Sequence, residues 1–263
     1  MFKIALDAGH GMNTAGKRCM KSIDPNETRE WWMNDRICDK IEKKLSAYDG
    51  YSLLRVDDTT GNTDVSLGSR TSKANSWGAD FYLSVHHNAG INGGSGGGIV
   101  SVVYTKASET SNNYSKIIYD ELIKETGLKG NRSTPLAKQN LHVCRETNMP
   151  AVLVECGFMD STTDVPIIIT EKFADECADG FVSALVKIGG LTKKNSTPIK
   201  NDTSTKNGFT DIKGHFAECH INDLLNMGIV NGKTKDKYMP DESITRGEVA
   251  VIVRNAIKYI TGK

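Results

Sequence analysis

No stretch of this 263-residue chain approaches the roughly eighteen consecutive apolar residues of a membrane-spanning helix, so no membrane is expected among its partners. An excess of either charge is missing as well. Thirty-three Lys and Arg against 32 Asp and Glu leave a net charge of +1, whereas binding to a phosphate backbone needs a basic surface, so nucleic acid is not an expected partner either. Paired cysteines are lacking. Cys19, Cys38, Cys144, Cys156, Cys177 and Cys219 are scattered without a C-x-x-C pair, which excludes a dense disulfide framework. They are expected to be reduced and to fill space as small hydrophobes. The opening MFKIALDAGHG runs straight into a strand pattern without the basic, apolar and small-residue zones of a signal peptide. The expectation is synthesis in the cytoplasm without a signal peptide and action after release.

What is present suits a soluble chain with one substantial core and something smaller: 38% of the residues are apolar and 25% charged. Up to about residue 190, the short apolar runs FKIAL, YSLLRV, DFYLSVHH, GIVSVVY and PAVLVECGF alternate with helical stretches. That alternation predicts an α/β fold with a mostly parallel twisted sheet flanked by helices. Ile37, Ile41 and Leu45 recur at four-residue spacing and predict a helix after residue 28, with Thr28 available to cap it. SNNYSKIIYDELIKET and EKFADECADGFVSALVKI read as further amphipathic helices. Residues 191–208 are polar, basic and nearly free of large apolar groups, which predicts a linker. From 209 to 263 helical periodicity returns twice, around 216–227 and 245–260, giving a small helical module with a thin core.

Histidines and acids gather where strands stop. His10 ends the first strand, His86 and His87 end DFYLSV, and Glu155 follows the apolar run of PAVLVECGF, while Glu30 opens the first long helix. In a parallel sheet the carboxyl ends of neighbouring strands line the crevice where ligands bind. Two imidazoles and two carboxylates converging there suit a catalytic Zn2+, which takes three protein ligands while a further carboxylate moves the proton. Structural histidines and capping acids are the plainer reading of the same residues.

The segments IALDAGHG, REWWMNDRICDKI, LSVHHNA and PAVLVECGFMD, in this order, resemble the zinc-dependent N-acetylmuramoyl-L-alanine amidases of the Amidase_3 family over residues 1–190. The resemblance implies a zinc-dependent peptidoglycan hydrolase that cuts the amide between N-acetylmuramic acid and L-alanine of the stem peptide. It implies His10 and His86 as metal ligands. Glu30, four residues before Asn34, is implied as the second ligand in chain order, between these two, with Glu27 the competitor. Glu155 is implied as the catalytic glutamate that activates the attacking water and protonates the leaving amine. His87 stands where the family has a small residue; a group behind the ligands, a substrate contact and a competing ligand are all open, and a polar rim residue is the reading taken. Asn34 and Asn88 share the substrate-contact or supporting reading.

Lesser features are read more plainly. The glycines beside His10 let backbone and substrate approach the metal. NGGSGGG, 92–98, lacks the Gly-Lys-Ser/Thr ending of a phosphate loop and is expected to form a flexible lip of the substrate groove. Of Trp31 and Trp32 at least one should pack in the core, and Arg70 is expected in a structural ion pair.

FTDIKGHFAECHINDLLNMGIVNG followed by YMPDESITRGEVAVIVRNAI resembles a single surface-layer-homology (SLH) module. This resemblance implies binding to a secondary cell-wall polysaccharide, with Arg246 and Glu248 as candidate contacts, and leaves homo-oligomer formation through the module open. The combination reads as a phage or prophage endolysin of a Gram-positive host acting at the cell wall. A host autolysin or sporulation amidase of the same chemistry, a zinc peptidase cutting another wall bond, and a non-catalytic wall-binding protein are the alternatives.

Overall fold

The computed structural model describes residues 1–194 and 209–261, and the chain divides into two compact units, Met1–Lys194 and Asn195–Lys263. The first unit holds β1 (Phe2–Ala8), α1 (Glu30–Leu45), β2 (Tyr48–Asp49), β3 (Tyr51–Arg55), α2 (Leu67–Trp77), β4 (Phe81–Asn88), β5 (Ile99–Tyr104) and α3 (Glu109–Thr126). It continues with β6 (Leu136–Gln139), α4 (His142–Arg145), β7 (Ala151–Phe158), α5 (Val165–Ile168), α6 (Glu171–Gly189) and β8 (Thr192–Lys193). The second unit holds α7 (Glu218–Asn226) and α8 (Arg246–Thr261).

Six strands form one sheet in the order β3-β1-β4-β7-β5-β6. β3, β1, β4 and β7 pair in parallel, as does β5 with β6, but β5 runs antiparallel to β7. The reversal follows from chain length: residues 89–98 join β4 to β5, fewer than the dozen or more that a parallel crossover needs. The sheet is covered on both faces. Ile4, Leu6, Phe81 and Leu83 join Ile37 and Ile41 of α1 and Phe181 of α6 in the larger core. Ala5 and Tyr82, of opposite parity along the same strands, pack with Ala74 of α2 and Val143 of α4 in the smaller one.

Some local features differ from the expectations and others meet them. α1 starts at Glu30 with Arg29, not Thr28, at the cap position; the backbone N–H of Thr28 donates to Asp24 Oδ2 at 2.7 Å, in a turn that precedes the helix. The first unit also runs past residue 190. Leu191 is buried in the larger core and β8 pairs antiparallel with β2, so 191–194 belong to the folded unit; residues 195–208 of the expected linker lie outside the described residues. Trp31 is in the core, whereas Trp32 is exposed, with the Arg36 guanidinium 4.2 Å above its ring. Cys19, Cys38, Cys144, Cys156 and Cys177 are unbonded and buried. Cys219 lies outside the residues whose side chains are described. Among the described residues, no helix is long and apolar enough to cross a membrane.

The second unit has a small core of Ile212, Ile221, Ile229 and Val230. Asp211 ties its two halves together by accepting from the backbone N–H groups of Tyr238 and Met239 at 3.0 and 2.8 Å. α8 opens with a reciprocal cap: Glu248 Oε2 accepts from Thr245 N at 2.8 Å, and Thr245 Oγ1 accepts from Glu248 N at 3.2 Å. Ile244, Val249, Val251 and Val253 remain exposed.

The packing of α3 on α6 supplies a test. A Cβ at Gly180 of α6 would sit 2.9 Å from the Leu122 Cα and 3.1 Å from the Glu121 carbonyl oxygen, both backbone atoms of α3. Gly→Ala inside a helix ordinarily gains about 1 kcal/mol. Here we expect overpacking, which costs about 1–3 kcal/mol, to outweigh that gain and lower the melting temperature of Gly180→Ala. A raised melting temperature would contradict the close approach.

Candidate metal centre

β1 and β4 are register neighbours, with Ala8 opposite Val85, so the chain just past β1 meets the end of β4. This brings His10 against His86: their rings lie edge to face with centroids 4.9 Å apart. Gly9 is what permits it, because a Cβ there would run into the His86 ring. At Gly11 a Cβ would sit 2.9 Å from the Asp64 backbone nitrogen. The two glycines thus permit the close backbone approach expected of them, against the His86 ring and the 63–64 loop.

Glu30 occupies the first position of α1 and has no exposed surface. Its Oε1 lies 3.1 Å from His86 Nδ1 and 3.4 Å from His10 Nε2, and accepts from the backbone N–H of His87 at 3.2 Å. Its Oε2 lies 3.6 Å from the Lys17 ammonium. Burial alone would raise the Glu30 pKa, but the two imidazoles outweigh it and hold the carboxyl well below the usual range. Burial likewise disfavours the charged His86 ring, and the facing Glu30 carboxylate more than compensates, so the His86 pKa is raised. The helix N-terminus adds its own preference for negative charge at this position. Glu27, the competing acid, lies away from this cluster and pairs with Arg18 at 3.1 Å and Lys21 at 3.7 Å.

His10, Glu30 and His86 each offer one ligand atom, all within 4.8 Å of one another. His10 Nε2 and Glu30 Oε2 are buried without a hydrogen-bond partner, so the donor set is short of the cation that would satisfy it. Two imidazole nitrogens and a carboxylate are a ligand set typical of catalytic zinc. By these tests the residues present fit a divalent metal.

Glu155 comes from β7, which pairs with β4 so that His86 and Glu155 are opposite each other. β7 continues to Phe158, so Glu155 lies within the strand and does not close it as expected. Its Oε2 is buried and unpartnered. Burial pushes the carboxyl up to about 7, against the opposing pull of His86. One cleft is lined by Lys17, Glu30, His86, His87, Asn88 and Glu155.

His87 is not the rim residue expected. It is 2% exposed, and its Nδ1 lies 2.8 Å from Asn34 Oδ1. Asn34 Nδ2 donates to the Gly9 carbonyl at 3.1 Å, so Oδ1 is the accepting end and the His87 proton resides on Nδ1. Burial pushes its pKa down to about 3, which keeps the ring neutral. Asn88 is half-buried, and its Oδ1 accepts from Ala89 N at 2.8 Å.

The glycine-rich lip is tied down. Asp160 Oδ2 accepts from Gly90, Ile91 and Asn92 N–H groups at 2.7, 2.9 and 2.8 Å, and Asp164 Oδ2 accepts from Gly98 N at 2.7 Å. Neither these acids nor Lys17 was singled out from the sequence. Asp160 stood inside the motif PAVLVECGFMD, whereas Lys17 carries no local signal. Arg70 forms the expected ion pair, with Asp7 at 2.5 Å. In the second unit Arg246 is exposed, while Glu248 is engaged by Thr245 and by Lys233 at 2.9 Å.

The N-acetylmuramoyl-L-alanine amidase family model matches residues 4–187, and the S-layer homology domain model matches residues 208–250. The sporulation-specific N-acetylmuramoyl-L-alanine amidase of Bacillus subtilis (strain 168) is 34% identical over 200 residues, 76% of this chain and 72% of that protein. The endolysin of Bacillus phage SPP1 is 32% identical over 202 residues, 75% of this chain and 70% of its own length. The crystal structure of N-acetylmuramoyl-L-alanine amidase from Clostridium difficile 630 superposes with a TM-score of 0.63 at 29% identity, covering 71% of this chain and 95% of that one. The chain therefore belongs to the N-acetylmuramoyl-L-alanine amidases, enzymes that act on peptidoglycan, and carries an S-layer homology domain in its second unit.

Proposed function

We propose that residues 1–194 are a zinc amidase domain that cleaves the bond between the lactyl group of N-acetylmuramic acid and L-alanine, with His10, Glu30 and His86 as ligands. The observation that carries this is the group of three residues whose ligand atoms lie within 4.8 Å of one another, where His10 Nε2 and Glu30 Oε2 are buried without a hydrogen-bond partner. Zinc, when bound, supplies Lewis-acid polarisation of the scissile carbonyl and lowers the pKa of water towards neutrality. Glu155 is the proton carrier. A carboxyl whose pKa lies near 7 takes a proton from the attacking water and returns it to the amine as the C–N bond breaks. Lys17 lines the same cleft as the remaining cation and is available to an acidic group of the stem peptide. Asn34 and His87 support the ligands from behind, and Asn88 faces the cleft as a substrate contact.

The second unit, 209–263, is proposed to hold the enzyme at the wall through a secondary polysaccharide, with exposed Arg246 beside Glu248 as contacts. Its exposed Ile244, Val249, Val251 and Val253 support self-association of these units, which would give several binding sites and extend a thin core. The proposed setting is lysis of a Gram-positive host by a phage or prophage endolysin, in line with the endolysin relative. The sporulation-specific relative favours a second reading, a host amidase of the same chemistry.

Two experiments follow. In the first, protein purified without added metal is analysed for zinc, with His10→Ala, His86→Ala and Glu155→Ala alongside. We expect zinc in the wild type and in Glu155→Ala, its loss from both histidine variants, and about 10²–10⁴-fold slower lysis by Glu155→Ala. Full zinc in both histidine variants contradicts the ligand set, and native lysis by folded Glu155→Ala contradicts the proton role. In the second, truncation after Lys194 is expected to leave turnover of soluble muropeptides nearly unchanged. It should also weaken pelleting with walls and shift any oligomer to monomer, because tethering raises the effective concentration at an insoluble substrate. Equal wall pelleting removes the anchoring role, and an unchanged oligomer removes the assembly role.

A further inference from the structure

The turn that carries His10 has each of its carbonyls taken by a buried side chain. Arg70 Nη1 donates to Ala8 O at 2.7 Å and Arg70 Nη2 to His10 O at 2.8 Å. Between them, Asn34 Nδ2 donates to Gly9 O at 3.1 Å. Neither donor belongs to the turn: Arg70 comes from α2 and Asn34 from α1. The backbone shows why such a hold is needed. His10 has φ 69°, a left-handed conformation that a residue with a side chain keeps only where its surroundings over-determine it.

The donors are themselves fixed. Arg70, 1% exposed, also donates from Nε to Val65 O at 2.7 Å and from Nη1 to Asp7 Oδ1 at 2.5 Å. The other Asp7 oxygen accepts from Ser84 Oγ of β4 at 2.7 Å. Asn34 is fully buried, its amide oriented by His87. A structural ion pair would need only opposite charges. Two further bonds to carbonyls on either side of Gly9 need the planar fork of a guanidinium, which an ammonium on a flexible stem does not offer.

We propose that Arg70, with Asn34, is a positioning residue for the metal centre: together they lock the backbone of residues 8–10 so that the His10 imidazole faces Glu30 and His86 before any metal arrives. The proposal rests on the zinc reading above. A ligand already held by the scaffold gives up little conformational freedom on coordination, and groups of this kind typically govern metal affinity by 10- to 100-fold.

Two substitutions test it. Arg70→Lys keeps a cation opposite Asp7 and gives up the fork; Asn34→Ala removes the bond to Gly9 without touching a charge. Zinc affinity is read by competition with a chelator, ligand geometry by the visible absorption of the cobalt-loaded protein, and folding by thermal melts. Each folded variant is expected to bind zinc about 10- to 100-fold more weakly than wild type and to show an altered cobalt spectrum. Wild-type affinity with an unchanged spectrum in a folded variant overturns the proposal. Should Arg70→Lys fail to fold, the same readings on Asn34→Ala decide it. Failure of the wild type itself to take up zinc or cobalt overturns the zinc reading instead, and this proposal with it.

Discussion

A carboxylate with no exposed surface is the constraint around which the first unit is organised. Charge removed from water is costly unless it is paired and hydrogen-bonded. Glu30 is therefore surrounded by the start of α1, two imidazoles, the His87 main-chain N–H and, at 3.6 Å, the Lys17 ammonium. These groups arrive from the end of β1, the loop that follows it, and β4. Even so, Glu30 Oε2 and His10 Nε2 make no hydrogen bond, and a buried donor set of this kind fits a divalent metal.

The sheet makes the convergence possible. β1, β4 and β7 are adjacent and parallel, so His10, His86 and Glu155 come to the same rim without any long loop having to fold inward. The two helical layers then hold the rim from opposite faces. α2 reaches the His10 turn through Arg70, and α1 reaches it through Asn34 while contributing Glu30 itself. The lip beside β4 is pinned by Asp160 and Asp164 just beyond β7, so the cleft walls are tied to the strands that carry the chemistry.

Much of this was legible in the sequence because it depends on local periodicity. Alternating apolar runs gave β1, β3, β4, β5 and β7 but not the short β6, four-residue spacing gave α1, and the strand-end histidines marked the rim. What was not legible depends on contacts between distant residues. His87 looks polar and exposed beside a ligand, yet it is buried because Asn34, on a helix far away in sequence, offers its amide oxygen. Thr28 does not cap α1 because the preceding turn, in which its backbone N–H donates to Asp24, places Arg29 at the N-cap position instead. Glu155 looked like a strand terminus, although β7 simply continues through it. The antiparallel β5 could have been inferred from the short connection after β4, which carries no sequence signal other than its length.

The central claim is that this buried centre hydrolyses the muramoyl–alanine amide in a metal-dependent way. The most direct measurement is mass spectrometry of the fragments released from purified Gram-positive peptidoglycan, with a chelator and with zinc added back. The account predicts muramic acid with a free lactyl carboxylate and stem peptides with a free L-alanine amino group, absent under chelation and restored by zinc. New reducing ends, a cut within the stem peptide, or fragments indifferent to chelation would contradict it.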